Sequence, residues 1–191
     1  TFDKPEKKTR LIKSVHNGPL YVQKLFYPEG LEHAHVYLLH PPGGIVSGDH
    51  LRISVDVGEN AGVFLTTPGA ARIYRARKDV SVQRVVVDLN IGANALVEWF
   101  PLETIVFSGA CSQISTKINL SEGSCFAGWD ICSLGMPASL SGFDFGSFEQ
   151  KPGPALRRRT AGLAPHPCFS GRWIKRCVQQ KAVRSGTGRQ A

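Results

Sequence analysis

The chain has 191 residues, 42% hydrophobic and 20% charged, which is room for one domain or a small pair with a buried core. No apolar run is long enough to span a bilayer as a helix, and Thr1 to Lys13 lacks the apolar stretch of a secretory leader, so a cytoplasmic protein without a membrane partner is expected. The net charge of +8 would point to nucleic acid if it were spread over the chain, but residues 1–150 hold 13 Lys/Arg against 15 Asp/Glu, whereas residues 151–191 hold 10 Lys/Arg and no acid.

Taken in order, residues 10–150 carry the signals of β-structure. His33, His35 and Tyr37 fall on one face of a strand over 33–39. Leu51, Ile53, Val55 and Val57 alternate with polar residues, which is the period of a half-buried strand, and Ile114, Thr116, Ile118 and Leu120 do the same. Across 80–89 the apolar phase shifts from Val80 and Val82 to Val85, Val87 and Leu89, which predicts a β-bulge at Gln83–Arg84. Units beginning Val55-Asp-Val, Val87-Asp-Leu and Ile118-Asn-Leu recur, each followed by a Gly-containing turn and a second strand (63–67, 95–100, 126–132). Such recurrence predicts stacked layers, β-helix-like, with a sandwich of successive hairpins as the alternative. The fold class is therefore all-β, made of stacked strand layers, β-helix-like or sandwich-like, with an irregular basic C-terminal tail. The domain division is 1–150 for the β domain and 151–191 for the tail, which is rich in Arg, Pro and Gly and shows no sustained strand alternation.

Five cysteines, Cys111, Cys125, Cys132, Cys168 and Cys177, form no CxxC pair, which argues against a zinc ribbon and a disulfide framework. The densest motif is His40-Pro41-Pro42-Gly43-Gly44-Ile45-Val46-Ser47-Gly48-Asp49. It has neither a following helix nor a GK[ST], so a turn or a partner-docking loop is a better reading than a phosphate cradle. Pro68-Gly69 is a type II turn signal. His33 and His35 are candidate metal ligands because side chains two apart share a strand face, with Asp49 or His50 as a possible third ligand. Glu98 and Glu103 flank Trp99-Phe100-Pro101, and either could be buried. No Ser/His/Asp set, paired-carboxylate spacing or catalytic cysteine signature stands out, so no catalytic residue is assigned.

His35-Val-Tyr-Leu-Leu-His-Pro-Pro-Gly-Gly-Ile-Val-Ser-Gly-Asp49, Leu65-Thr-Thr-Pro-Gly-Ala70, Tyr74-Arg75 and Glu98-Trp-Phe-Pro-Leu-Glu-Thr-Ile-Val-Phe107 together closely resemble the UreD/UreH family of urease accessory proteins. Trp129-Asp-Ile-Cys-Ser-Leu-Gly135 and Phe143-Asp-Phe-Gly146 extend the resemblance, which covers roughly residues 10–150. It implies an all-β, non-enzymatic scaffold that binds the urease apoprotein and UreF, and through UreF the GTPase UreG. It further implies that nickel passes through the assembly to urease, in transit and not as a tightly bound cofactor. A conduit must hold nickel weakly, so Asp49, Thr66, Glu98 and Glu103, each inside or beside a matching motif, are the expected path or partner-contact residues. Members continue differently after residue 150, so the tail is read as non-native to the family, the product of truncation or a shifted reading frame. Two competing readings are a nucleic-acid-binding protein acting through the basic tail and a β-sandwich metalloprotein built on His33, His35 and His40.

Overall fold

The computed structural model describes residues 1–136, 139, 141–157 and 172–179, with side chains described as far as Lys151. Among the described residues every regular element longer than a single turn is a strand. In chain order these are β1 (Phe2–Asp3), β2 (Arg10–Leu11), β3 (Tyr21–Val22), β4 (His33–Leu39), β5 (His50–Val57), β6 (Gly62–Thr66) and β7 (Ala71–Ile73). They continue with β8 (Gln83–Ile91), β9 (Leu96–Trp99), β10 (Thr104–Val106), β11 (Cys111–Leu120), β12 (Cys125–Leu134), β13 (Ser147–Arg157) and β14 (Arg172–Gln179). No helix of the described residues is long and apolar enough to cross a membrane.

The strands form two sheets. The first has the order β13-β11-β8-β5-β1-β2, and the second β3-β4-β6-β9-β12-β10-β7, with β14 beside β12. Within each sheet the long strands run parallel: β5 with β8, β8 with β11, β11 with β13, and β4 with β6, β6 with β9, β9 with β12. The chain therefore coils. A strand in the second sheet passes through a turn to one in the first, then through a tight turn to the next strand of the second, one layer further on. Of the two architectures expected from the repeat, the stacked β-helix-like one is present. Among the strands of the described residues, antiparallel pairing is confined to β1 with β2 and β3 with β4, at the N-terminal end; isolated antiparallel bridges join Phe26 to His35 and Met136 to Ser141.

The core lies between the sheets and follows the pleat. Val55, Val57, Val87, Leu89, Ile91, Ile118 and Leu120 from the first sheet meet Val36, Val63, Leu65, Val97, Trp99 and Phe126 from the second. A separate cluster of Ile45, Ile73, Val106, Ala110, Ile114 and Cys132 occupies the other end of the layers. β6 and β7 are one course of chain interrupted at Pro68-Gly69, and β9 and β10 are one interrupted around Pro101, where proline removes a ladder donor. β12 pairs with both β9 and β10 and so bridges the second interruption. Thr66 Oγ1 donates to the Phe100 carbonyl at 2.7 Å and Thr67 Oγ1 accepts from Leu102 N at 3.0 Å, tying the two breaks together.

Three sequence expectations change. The repeated units do stack, but Val55-Asp56-Val57 and Ile118-Asn119-Leu120 both lie against Leu89-Asn90-Ile91, not Val87-Asp88-Leu89. The true repeat is visible in a ladder on the outer face: Asn90 Nδ2 donates to Asp56 Oδ1 at 2.8 Å and Asn119 Nδ2 to Asn90 Oδ1 at 2.6 Å. No bulge exists at Gln83–Arg84, because β8 begins there and its register with β5 and β11 is unbroken; the phase shift marks a strand start. Finally, strands reach into the basic segment: β13 continues to Arg157 against β11, and β14 lies parallel to β12.

Candidate functional site

The strand period places His33 and His35 on the outer face of β4, while Ala34 and Val36 between and beyond them are fully buried. Their rings sit 5.4 Å apart. The Phe26 segment pairs antiparallel with His35 through backbone hydrogen bonds, and this brings Glu29 over the strand. Glu29 Oε1 is 3.1 Å from His35 Nε2 and Oε2 is 3.6 Å from His33 Nδ1. On its other side, the buried Nε2 of His33 faces Glu98 Oε2 at 3.3 Å, short of hydrogen-bond alignment. That reach runs diagonally across β6, where Gly62 is opposite His33 and Phe64 is opposite Glu98. His35 stacks on Phe64 at 4.6 Å, and the aromatic column continues through Phe100 to Trp129, whose Nε1 donates to the Pro101 carbonyl at 2.8 Å. Glu29, His33 and His35 each offer a ligand atom, all within 4.8 Å of one another. The histidine pair is thus completed by Glu29, not by Asp49 or His50 as expected.

The four expected path residues do not converge. Glu98 joins the histidines. Thr66 shares its sheet face and is buried, with its hydroxyl committed to Phe100. Asp49 lies in the turn from β4 to β5, where Oδ2 accepts from Val46 N at 2.8 Å. Glu103, expected to be a possible buried carboxylate, is exposed, and its carbonyl accepts from Ala71 N. Beside Asp49, the His40 imidazole is desolvated, which lowers its pKa from the usual 6.5 against the opposing pull of the Asp49 carboxylate.

The glycine-rich motif is a built turn that carries the chain from the second sheet to the first. Gly43 and Gly48 take positive φ of 71° and 83°, the left-handed region that a side chain disfavours. Gly44 is buried beneath Tyr74, whereas Pro41 and Pro42 are exposed. Ile45 bridges to Ile73, and Ser47 Oγ accepts from Arg77 N at 2.6 Å.

A second polar feature went unread in the sequence. Gln83, Ser112, Thr116 and Asp130 point inward and are buried: Thr116 and Asp130 lie between the two apolar clusters, whereas Gln83 and Ser112, opposite each other in the β8–β11 ladder, lie beyond Ile114 beside the second cluster. Thr116 Oγ1 donates to Asp130 Oδ2 at 3.4 Å. Gln83 is held at both ends, with Nε2 donating to the Tyr74 carbonyl at 2.6 Å and Oε1 accepting from Cys111 N at 3.0 Å. The Ser112 hydroxyl and Trp99 Nε1 are buried without a hydrogen-bond partner. Buried polar groups of this kind are costly in a dry core and fit a wet interior. The alternation of β11 gives Thr116 an inward phase from sequence alone, whereas Asp130 carries no such signal beyond its place in the Trp129–Gly135 motif.

Fold and site together define a parallel β-solenoid with buried polar side chains in its interior and an outer imidazole–carboxylate cluster. A family model described as UreD urease accessory protein matches residues 1–152, and the chain belongs to that family. Among curated relatives, urease accessory protein UreD of Marinomonas sp. strain MWYL1 is 50% identical over 149 residues, covering 78% of this chain and 48% of the relative. The protein of the same name from Psychromonas ingrahamii is 50% identical over 146 residues, covering 74% and 47%. That of Alkalilimnicola ehrlichii is 42% identical over 178 residues, covering 90% and 60%, so this match runs past Gln150. The chain spans about half to three fifths of the length of these relatives.

Proposed function

We propose that the chain is a non-catalytic scaffold in urease maturation. In this reading it binds the urease apoprotein and UreF in the cytoplasm and, through UreF, meets the GTPase UreG, so that nickel reaches the urease active site as cargo. The observation that carries the reading is the family match over residues 1–152. The interior supports it physically. An ion in transit needs polar groups that replace part of its hydration without trapping it, and hydroxyls, an amide and a single carboxylate do this better than clustered thiolates or imidazoles. Asp130 and Thr116 are the groups best placed to line such a passage. Asp49 and the exposed Glu103, with the exposed Pro41 and Pro42, fit partner contact better than passage.

Co-expression with the urease genes in a strain lacking its own copy tests this. The chain should co-purify with UreF and urease and raise urease nickel content. Asp130→Asn should lower that nickel content several-fold while leaving the complexes intact. Absence of both association and nickel loading with the parent chain would overturn the scaffold reading. Full loading by Asp130→Asn would overturn the interior passage.

A further inference from the structure

We propose that Glu29, His33 and His35 bind one divalent transition-metal ion on the outer face of the second sheet, with Glu98 positioning His33. The site lies on the opposite face of that sheet from the inward-pointing Asp130. It goes beyond the maturation role and does not rest on it.

The geometry supplies three donors of suitable chemistry. Around a single ion, bonds of about 2.0–2.2 Å put donor atoms roughly 3–4 Å apart. The Glu29–His35 and Glu29–His33 separations of 3.1 and 3.6 Å already fall in that range, and the whole set spans no more than 4.8 Å. The remaining closure falls to Glu29, whose side chain is 62% exposed on a loop and free to swing, while the imidazoles are fixed by the strand and, for His35, by Phe64. Two imidazoles and a carboxylate select nickel, zinc, cobalt or copper over magnesium and calcium, which prefer oxygen alone. Three protein ligands leave coordination positions for water.

Glu98 explains which nitrogen of His33 does the binding. A ligating histidine presents one nitrogen to the metal and donates its other N–H, commonly to a carboxylate. His33 Nδ1 faces Glu29, and the buried, unaligned Nε2 faces Glu98. With the proton on Nε2, Glu98 holds the ring and leaves the Nδ1 lone pair on the side of His35. Metal at Nδ1 strengthens that N–H as a donor and completes a bond that is only approximate without it.

The test is titration of the purified full chain with Ni²⁺ alone by calorimetry, with Co²⁺ as a visible-absorption probe of nitrogen ligation. Glu29→Gln and His35→Ala should each weaken Ni²⁺ at least about tenfold and bleach the cobalt bands. Glu98→Leu should weaken it about 10–100-fold, whereas Glu98→Gln, whose amide oxygen still accepts from Nε2, should stay within a few-fold of the parent. His50→Ala, at the start of β5 and outside the cluster, should match the parent. Circular dichroism identifies any variant that fails to fold; Glu29→Gln, on an exposed loop, keeps the comparison available. Parental affinity in both Glu29→Gln and His35→Ala overturns the site, as does an equal loss in His50→Ala. Equal losses in Glu98→Leu and Glu98→Gln overturn the positioning role. All of these are read on the chain alone, so they are separable from the urease outcome.

Discussion

Burial strips water from the His40 imidazole at the end of β4, and the Asp49 carboxylate does not fully compensate, so its pKa lies below the ordinary 6.5. The unfolded chain then takes up this proton before the folded one does. His40 therefore costs nothing above pH 6.5 and erodes stability as the pH falls from there toward the folded value. Urea midpoints should drop between pH 7.5 and 5.5, and His40→Gln should flatten that drop; an unchanged slope in the variant would exclude His40 as its source. Gln83 makes a pH-independent contribution. It is fully buried and brackets two backbone groups, so Gln83→Leu leaves the Tyr74 carbonyl and Cys111 N–H without partners and should cost about 2–4 kcal/mol in denaturant unfolding. A cost below about 1 kcal/mol would mean that water replaces the amide. At this scale the site was half legible. The strand period gives His33 and His35 a common face from sequence alone, but Glu29 arrives from a loop through the pairing of Phe26 with His35, and no local pattern encodes that. Likewise Glu98 reaches His33 diagonally across a neighbouring strand, β6, a placement set by the register of three strands.

Among the strands, β8 is the centre of the first sheet, paired along its length with β5 on one side and β11 on the other. β2 and β3, by contrast, are two-residue strands at sheet ends. Amide exchange should follow that difference, with Val87 and Leu89 exchanging at least about a hundredfold more slowly than Leu11 and Val22. Similar rates would show that the stack opens as one unit and not from its ends. The alternation that marks β5 and β11 was legible because one phase is apolar throughout. In β8 the inward phase begins with an amide, Gln83, so hydrophobicity alone misplaced both the strand start and the repeat by two residues. The asparagine ladder, Asp56 to Asn90 to Asn119, carries the correct register in polar residues instead.

For the molecule as a whole, the acid–base balance divides at the same place as the family match: a near-neutral body through Gln150 and an acid-free segment beyond it. The coil was legible as a recurrence of strand–turn–strand units; the division of the second-sheet courses at Pro68-Gly69 and Pro101 was not, because the course is held together there by pairing with another layer, β12 spanning the second break. Parallel stacking has one more consequence. Every long ladder joins a strand to the layer directly before or after it, and the short antiparallel strands close the N-terminal end. Each layer therefore needs only residues that have already left the ribosome. The order of translation, N-terminal end first at about 5–20 residues per second, is also an order in which the coil can be wound, each finished turn serving as the template for the next.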